Sequence, residues 1–278
     1  MNLGFVTCVQ LGLSCMEAIY AVGGNLRLAI TLSDDRAAEK SGRVYLDDFC
    51  QHKNIPLIKC TNVNDDLVID AIKKNDLDWL FIIGWSQIAE KVLLDAPRLG
   101  VLGMHPTLLP EGRGRAAIPW AILKKLPKTG VTLFKLDEGV DTGPIAGQRQ
   151  IPMTDGITAS ELYEMVNLAH IELIKEVIPK VFGGQLNLRA QDHLSATVWE
   201  GRRPEDGNID LNGSVWDADR LVRAVTHPYP GAFVIINNIK ITIWAARVSD
   251  DKPTAEAIEF KDGYLELLSF TRESCLKS

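Results

Sequence analysis

Along the first two thirds of the chain, short continuous apolar runs alternate with stretches whose apolar residues recur every three to four positions. "LGFVTCV" (3–9) reads as a buried strand. "LSCMEAIYAVGG" (13–24) follows as a helix, with Ser14 as its N-cap and Gly23–Gly24 as its stop. "LRLAITLSD" (26–34), "IPLIKC" (55–60), "DWLFIIGW" (78–85) and "GVLGMH" (100–105) read as further strands. The helical segments 44–54, 65–75, 88–97 and 116–125 separate and follow them. Apolar runs such as "WLFIIGW" fit strands covered on both faces. "TGVTLFKLD" (129–137) is a strand, and "GPIAGQRQIPM" (143–153) reads as its antiparallel partner. A long amphipathic helix, started by Thr158 or Ser160 and stopped by Gly183–Gly184, closes the series.

This alternation predicts an α/β fold: an open, Rossmann-like, mostly parallel sheet with helices on both faces. The texture changes after residue 185. Residues 186–212 are polar and rich in turn formers, which predicts a connector. A short helix ends at "HPYPG", and two hairpins follow, one turning at Asn237–Asn238 and one with Asp262–Gly263 at its tip. The expected organisation is a first domain over 1–185, a connector over 186–212 and a small β-rich C-terminal domain over 213–278.

Composition narrows the class. Of 278 residues, 46% are hydrophobic and 24% charged, with a formal net charge of −6 and a sequence pI near 5.5. A chain that binds nucleic acid chiefly by charge carries a positive excess, so this balance argues against such a partner. The five cysteines are widely spaced with no CxxC pattern, which predicts reduced thiols and no metal site. The N-terminal segment has no Lys or Arg before Arg27 and no small-x-small cleavage site, and no apolar run reaches membrane-spanning length. The expectation is a cytoplasmic protein with no membrane partner.

Ligands of open α/β sheets sit beyond the carboxyl ends of the strands. Three groups fall there: Trp85-Ser86-Gln87 after "LFIIG", His105 after "GVLGM", and Asp141 in "EGVDTGPI". A histidine beside a carboxylate is an acid/base pair in which the carboxylate orients the imidazole. Each residue has an ordinary alternative as well, since His before Pro is a common loop residue and Asp before Thr-Gly a common turn former. Arg113 and Arg115 read either as an anion clamp or as a solvated pair.

Taken together, "HPTLLPEGRGRAAIPWAI" (105–122), "TGVTLFKLDEGVDTGPI" (129–145) and "GRRPEDGNIDL" (201–211) with "LVRAVTHPYPGAFVIINNIKITIWAARV" (221–248) resemble the folate-dependent formyltransferases. The resemblance covers about residues 1–250. It implies transfer of a one-carbon unit from N10-formyltetrahydrofolate to an amine, with the donor held by Ile83, Gly84, Trp85, Ser86, Gln87, Ile88, Glu138, Gly139, Val140 and Pro144. His105 would face the oxyanion of the tetrahedral intermediate, and Asp141 would hold His105 and help take the amine proton.

One position departs from the pattern. The family has Asn-x-His, and Gly103 stands at the Asn position. Loss of an oxyanion donor costs about 10²–10³ in rate, roughly 3–4 kcal/mol. A substitute donor (Ser86 or Gln87), a water in the vacated space, or weakened activity would each account for it. Because His105 and Asp141 remain, a substitute or a water is the expectation. Among family members the C-terminal blocks are most similar to enzymes acting on nucleotide-linked (dTDP- or UDP-) amino sugars for surface polysaccharide. That implies substrate contacts from Ser41, Gly42, Arg43, Arg113, Arg115, Arg202 and Arg203, and at family level a homodimer through the C-terminal hairpins. Formylation of methionyl-tRNA, and a folate- or nucleotide-sugar-binding protein weakened in catalysis, are the alternatives.

Overall fold

The structure, a computed structural model, describes residues 1–39 and 42–275, the side chains of 37–39 excepted. The chain divides into two compact units. The first comprises residues 1–114, 129–151 and 165–198. Its centre is a sheet built from β1 (Leu3–Val6), β2 (Leu28–Leu32), β3 (Leu57–Cys60), β4 (Trp79–Ile82), β5 (Gly100–His105), β7 (Lys128–Lys135) and β8 (Ile145–Pro152). The spatial order is β3-β2-β1-β4-β5-β7-β8. β1 to β5 pair in parallel, so the α/β expectation with a mostly parallel sheet is borne out. β7 runs antiparallel to β5, with Leu102 opposite Lys135 and His105 opposite Thr132.

The helices α1 (Gln10–Ala21), α2 (Asp47–Lys53), α3 (Asp66–Lys74), the single turn α4 (Lys91–Leu94) and most of α6 (Ala159–Phe182) belong to this unit. Phe5, Phe81, Leu80, Ile30 and Val101 from the strands are essentially inaccessible. Leu173, Val177 and Val181 of α6 recur every four residues and are buried as well. A Cβ on Gly147 of β8 would lie 2.9 Å from Leu173, so sheet and helix meet closely there.

Two local expectations shift. Ser14 does not cap α1: the helix begins at Gln10 after Val9, and Ser14 is buried inside it, accepting from Gln10 Nε2 at 3.1 Å. The strand stops at Val6 because Thr7 turns the chain, its hydroxyl accepting from Val9 N at 3.4 Å. At α6, Thr158 is the residue that caps. Its Oγ1 accepts from Glu161 N at 3.3 Å, while Glu161 Oε2 accepts from Thr158 N at 2.9 Å, a reciprocal capping box. Ser160 instead donates to the carbonyl of His227 at 2.6 Å.

Burial of His170 on α6 makes stability depend on pH. Its Nδ1 donates to Val166 O at 2.8 Å, and burial pushes its pKa down from 6.5 to about 4. The folded state therefore binds this proton less readily than the unfolded chain. The stabilisation is complete above pH 6.5 and is lost as pH falls from 6.5 towards 4, by about 3 kcal/mol in all. Urea midpoints should fall over that window, and His170→Gln should flatten the dependence. An unchanged slope in the variant would contradict the assignment.

The second unit comprises residues 115–128, 152–164 and 199–278. It contains α5 (Ala117–Leu123), α7 (Val215–Val225) and a four-stranded sheet of β10 (Ala232–Ile236), β11 (Ile239–Ser249), β13 (Gly263–Ser274) and β12 (Ala257–Phe260), in that spatial order. Asn237 and Asn238 form the first hairpin turn with φ of 50° and 62°, as two residues of a type I′ turn require. The second turn differs from expectation by one residue. Phe260 pairs with Gly263, so Lys261–Asp262 make the tip and Gly263 opens β13. Asp262 is drawn off the turn: its carboxylate accepts from Ser214 Oγ at 2.7 Å and Val215 N at 3.0 Å, capping α7. Two short pieces, β6 (Arg113–Gly114) and β9 (Val198–Trp199), pair with each other outside both sheets.

Candidate active site

β5 delivers His105 to its carboxyl end, where the residue is 8% exposed. Its Nε2 lies 2.7 Å from the carbonyl oxygen of Gly112. A carbonyl only accepts, so Nε2 carries the hydrogen and donates it. Nδ1 is left facing Asp141, 3.5 Å from Oδ2. The same carboxylate oxygen accepts from Gly114 N at 2.9 Å. The stretch 105–114 thus folds back on itself, and its last glycine fixes the group that its first residue faces. The fold-back is braced by Thr132 of β7, whose hydroxyl accepts from Leu109 N at 3.1 Å and donates to Thr107 O at 2.7 Å. Gln148 of β8 adds bonds to Leu109 O and Thr132 Oγ1.

Asp141 itself sits at φ 55°, in the left-handed region that side-chain-bearing residues rarely occupy. Its turn is pinned internally by Asp137, whose Oδ1 accepts from Thr142 Oγ1 at 2.6 Å and Gly139 N at 3.2 Å. A half-buried carboxylate, a buried imidazole with a fixed tautomer and a strained backbone make a proton-handling pair.

Comparison with known proteins decides the family. A formyl transferase family model matches residues 31–178, more than half of the chain, and a model of the formyl transferase C-terminal domain matches 202–271. The chain belongs to the formyl transferase family. A methionyl-tRNA formyltransferase of Clostridioides difficile (strain 630) is 29% identical over 258 residues, which is 92% of this chain and 83% of that relative. The N-formyltransferase from Helicobacter canadensis, solved with folinic acid and dTDP-3-aminofucose, superposes with a TM-score of 0.67 at 17% identity, covering 95% and 98% of the two chains. HypX from Aquifex aeolicus, in complex with tetrahydrofolic acid, superposes with a TM-score of 0.70 at 17% identity, covering 99% of this chain and 46% of that one. At such identities the two structures share the fold.

In this formyltransferase Gly103, where the resemblance leads one to expect Asn, is covered from the neighbouring strand end. A Cβ on Gly103 would lie 2.6 Å from Leu136 Cδ2, so leucine carbon occupies the place into which a side chain would grow. Gln87 is held in place, its Nε2 donating to Thr61 O at 2.7 Å and its Oε1 accepting from Val63 N at 2.8 Å and Trp85 Nε1 at 3.2 Å, which leaves one Nε2 hydrogen uncommitted. Ser86 is exposed, and among the described residues nothing bonds its hydroxyl.

The two segments expected at the donor come together through α4: Lys91 pairs with Glu138 at 3.2 Å. Ile83 is core, its amide donating to Val6 O, and Gly84 turns the chain at φ 69° where a Cβ would strike Val9 at 2.2 Å. Ile88 and Val140 are exposed apolar residues, 69% and 59%. Gly139 is covered by Thr142, and Pro144 O accepts from Lys135 N.

The expected substrate contacts scatter. Ser41 lies outside the described residues. Gly42 is open at φ 69°, but Arg43 is engaged by Thr31 Oγ1, Leu32 O and, at 3.7 Å, Asp34, with its guanidinium over Tyr45. Arg113 is no solvent-facing clamp. It is 7% exposed, and its Nε and Nη2 donate to Gln191 Oε1 at 3.2 and 2.6 Å. In the second unit, Arg115 and Arg203 are exposed. Arg202 stacks over Trp120 at 5.1 Å and donates to Asp206 O, and burial lowers its pKa. Arg202 and Arg203 line a cavity of about 120 Å³ with Tyr229, Pro230 and Gly231. Among the described residues no cluster of His, Cys, Asp and Glu could hold a metal, and no helix is long and apolar enough to cross a membrane.

Proposed function

We propose that the enzyme moves the formyl group of N10-formyltetrahydrofolate to the amine of a nucleotide-linked amino sugar, dTDP- or UDP-bound, for surface polysaccharide. The donor fits the residues present. Ile88 and Val140 offer exposed apolar surface on two segments joined by Lys91–Glu138. N10-formyltetrahydrofolate supplies the electrophilic carbon when bound. Asp141 takes the proton released by the attacking amine, alone or through water, and His105 Nδ1 stands 3.5 Å away to share it. Proton uptake at Nδ1 turns a lone pair aimed at a carboxylate into a charge-assisted hydrogen bond, and the proton held by the pair is the one that N10 regains as tetrahydrofolate leaves. Gly42, open on its surface, is the proposed contact for the sugar or base.

The observation that carries the sugar over tRNA is charge. Residues 199–278 hold ten Lys and Arg against thirteen Asp and Glu, the wrong sign for gripping an RNA backbone. The likeness to a methionyl-tRNA formyltransferase keeps tRNA as the second reading. A competition assay separates them. With dTDP- and UDP-amino sugars and charged initiator tRNA present together, the formyl group should appear on a sugar. Exclusive formylation of tRNA, suppressed steeply by salt, would replace the sugar reading.

A further inference from the structure

Gln191 is the feature that the reading above does not use. It lies in the polar connector, fifty residues from Asp141 in sequence, and is 6% exposed. Its Nε2 donates to Asp141 O at 2.9 Å and to Gly143 O at 2.7 Å. Its Oε1 accepts from Arg113 Nε and Nη2. Arginine only donates and carbonyls only accept, so the amide has one possible orientation and all its hydrogens and lone pairs are in use. One of these carbonyls belongs to Asp141 itself, which takes a left-handed φ of 55°, and the other lies two residues on. Arg113 is fastened in turn: its backbone N donates to Thr197 O at 3.0 Å, and its Nη2 lies 3.1 Å from His193 Nδ1. The next residue, Gly114, donates to the Asp141 carboxylate itself.

We infer that Gln191 is a positioning residue that, clamped by Arg113, holds the Asp141 turn in its strained conformation and so sets the carboxylate against His105. The inference rests on the functional reading of that pair. Without the amide, two carbonyls lose these donors and the turn loses a restraint that acts beside those from Asp137 and Gly114. Misplacement of a reacting group by about 1 Å costs on the order of 10²-fold in rate.

Gln191→Glu tests this with little change of shape. The carboxylate keeps Arg113 but turns oxygen towards two carbonyls, whereas its protonated form regains one donor. Its kcat should fall about 10²-fold at neutral pH, KM for both substrates should stay within about twofold, and part of the loss should return on acidification, a limb absent from the wild type. Gln191→Leu should show the neutral-pH loss without the recovery, and its crystal structure should show Asp141 released from positive φ. A wild-type pH profile in Gln191→Glu, a change confined to KM, or Asp141 unmoved in Gln191→Leu overturns the inference. Failure of the wild type itself to transfer a formyl group strikes the functional reading instead, and the crystallographic comparison still decides the role of Gln191.

Discussion

Asp141→Asn should lower formyl transfer by about 10²–10⁴-fold, the range for losing a positioned acid–base group, while donor affinity changes only a few-fold. The substitution keeps an oxygen for the Gly114 amide. That oxygen is also the atom that faces Nδ1 of His105, so Nδ1 now meets a neutral amide oxygen in place of a carboxylate, while Nε2 stays committed as a donor to Gly112 O. A protonated ring then has no anion beside it, and the amine proton has no carboxylate to receive it. Single-turnover kinetics with donor binding measured separately gives the comparison. Equal loss in kcat and kcat/KM is the expected pattern for a group acting in the transition state. An unchanged kcat would remove Asp141 from the chemistry.

The second large effect concerns Gly103. Its φ is not in the left-handed region, so the backbone admits any residue there and the obstacle is Leu136, 2.6 Å from the Cβ position. Gly103→Asn alone should therefore lose activity and stability, because leucine carbon and the new amide compete for one space. Paired with Leu136→Ala, the same asparagine should gain room and present a donor beside His105. The double variant should exceed Leu136→Ala alone by up to about 10²–10³ in kcat, the usual worth of one oxyanion donor. A double variant no faster than Leu136→Ala would mean that this enzyme stabilises the oxyanion by another arrangement, with His105 and Ser86 the groups to test next.

Much of this was legible in the chain. The parallel core followed from apolar runs too short for helices, and His105 and Asp141 stood out because the first ends a β-rich run and the second lies in the turn after one. What escaped depends on distance through space. β7 runs antiparallel to β5, a direction that no local pattern records. Ser14 looked like a cap because the strand before it seemed to reach residue 9, whereas Thr7 ends it early. Arg113 read as a clamp for anions because two arginines in a glycine loop resemble one, and its partner Gln191 sits in a connector with no periodicity. The filling of the Gly103 space by Leu136 is packing between strand ends, invisible in either segment alone.

The most direct test follows the formyl carbon itself. With carbon-13 in the formyl group of N10-formyltetrahydrofolate and enzyme in excess over donor, one turnover in the presence of dTDP- and UDP-amino sugars should move the label to a formamide on the sugar nitrogen. Asp141→Asn should leave the label on the folate over the same interval. Label that never leaves the donor with any sugar or charged tRNA, or that leaves equally fast in the variant, would contradict transfer at the His105–Asp141 pair.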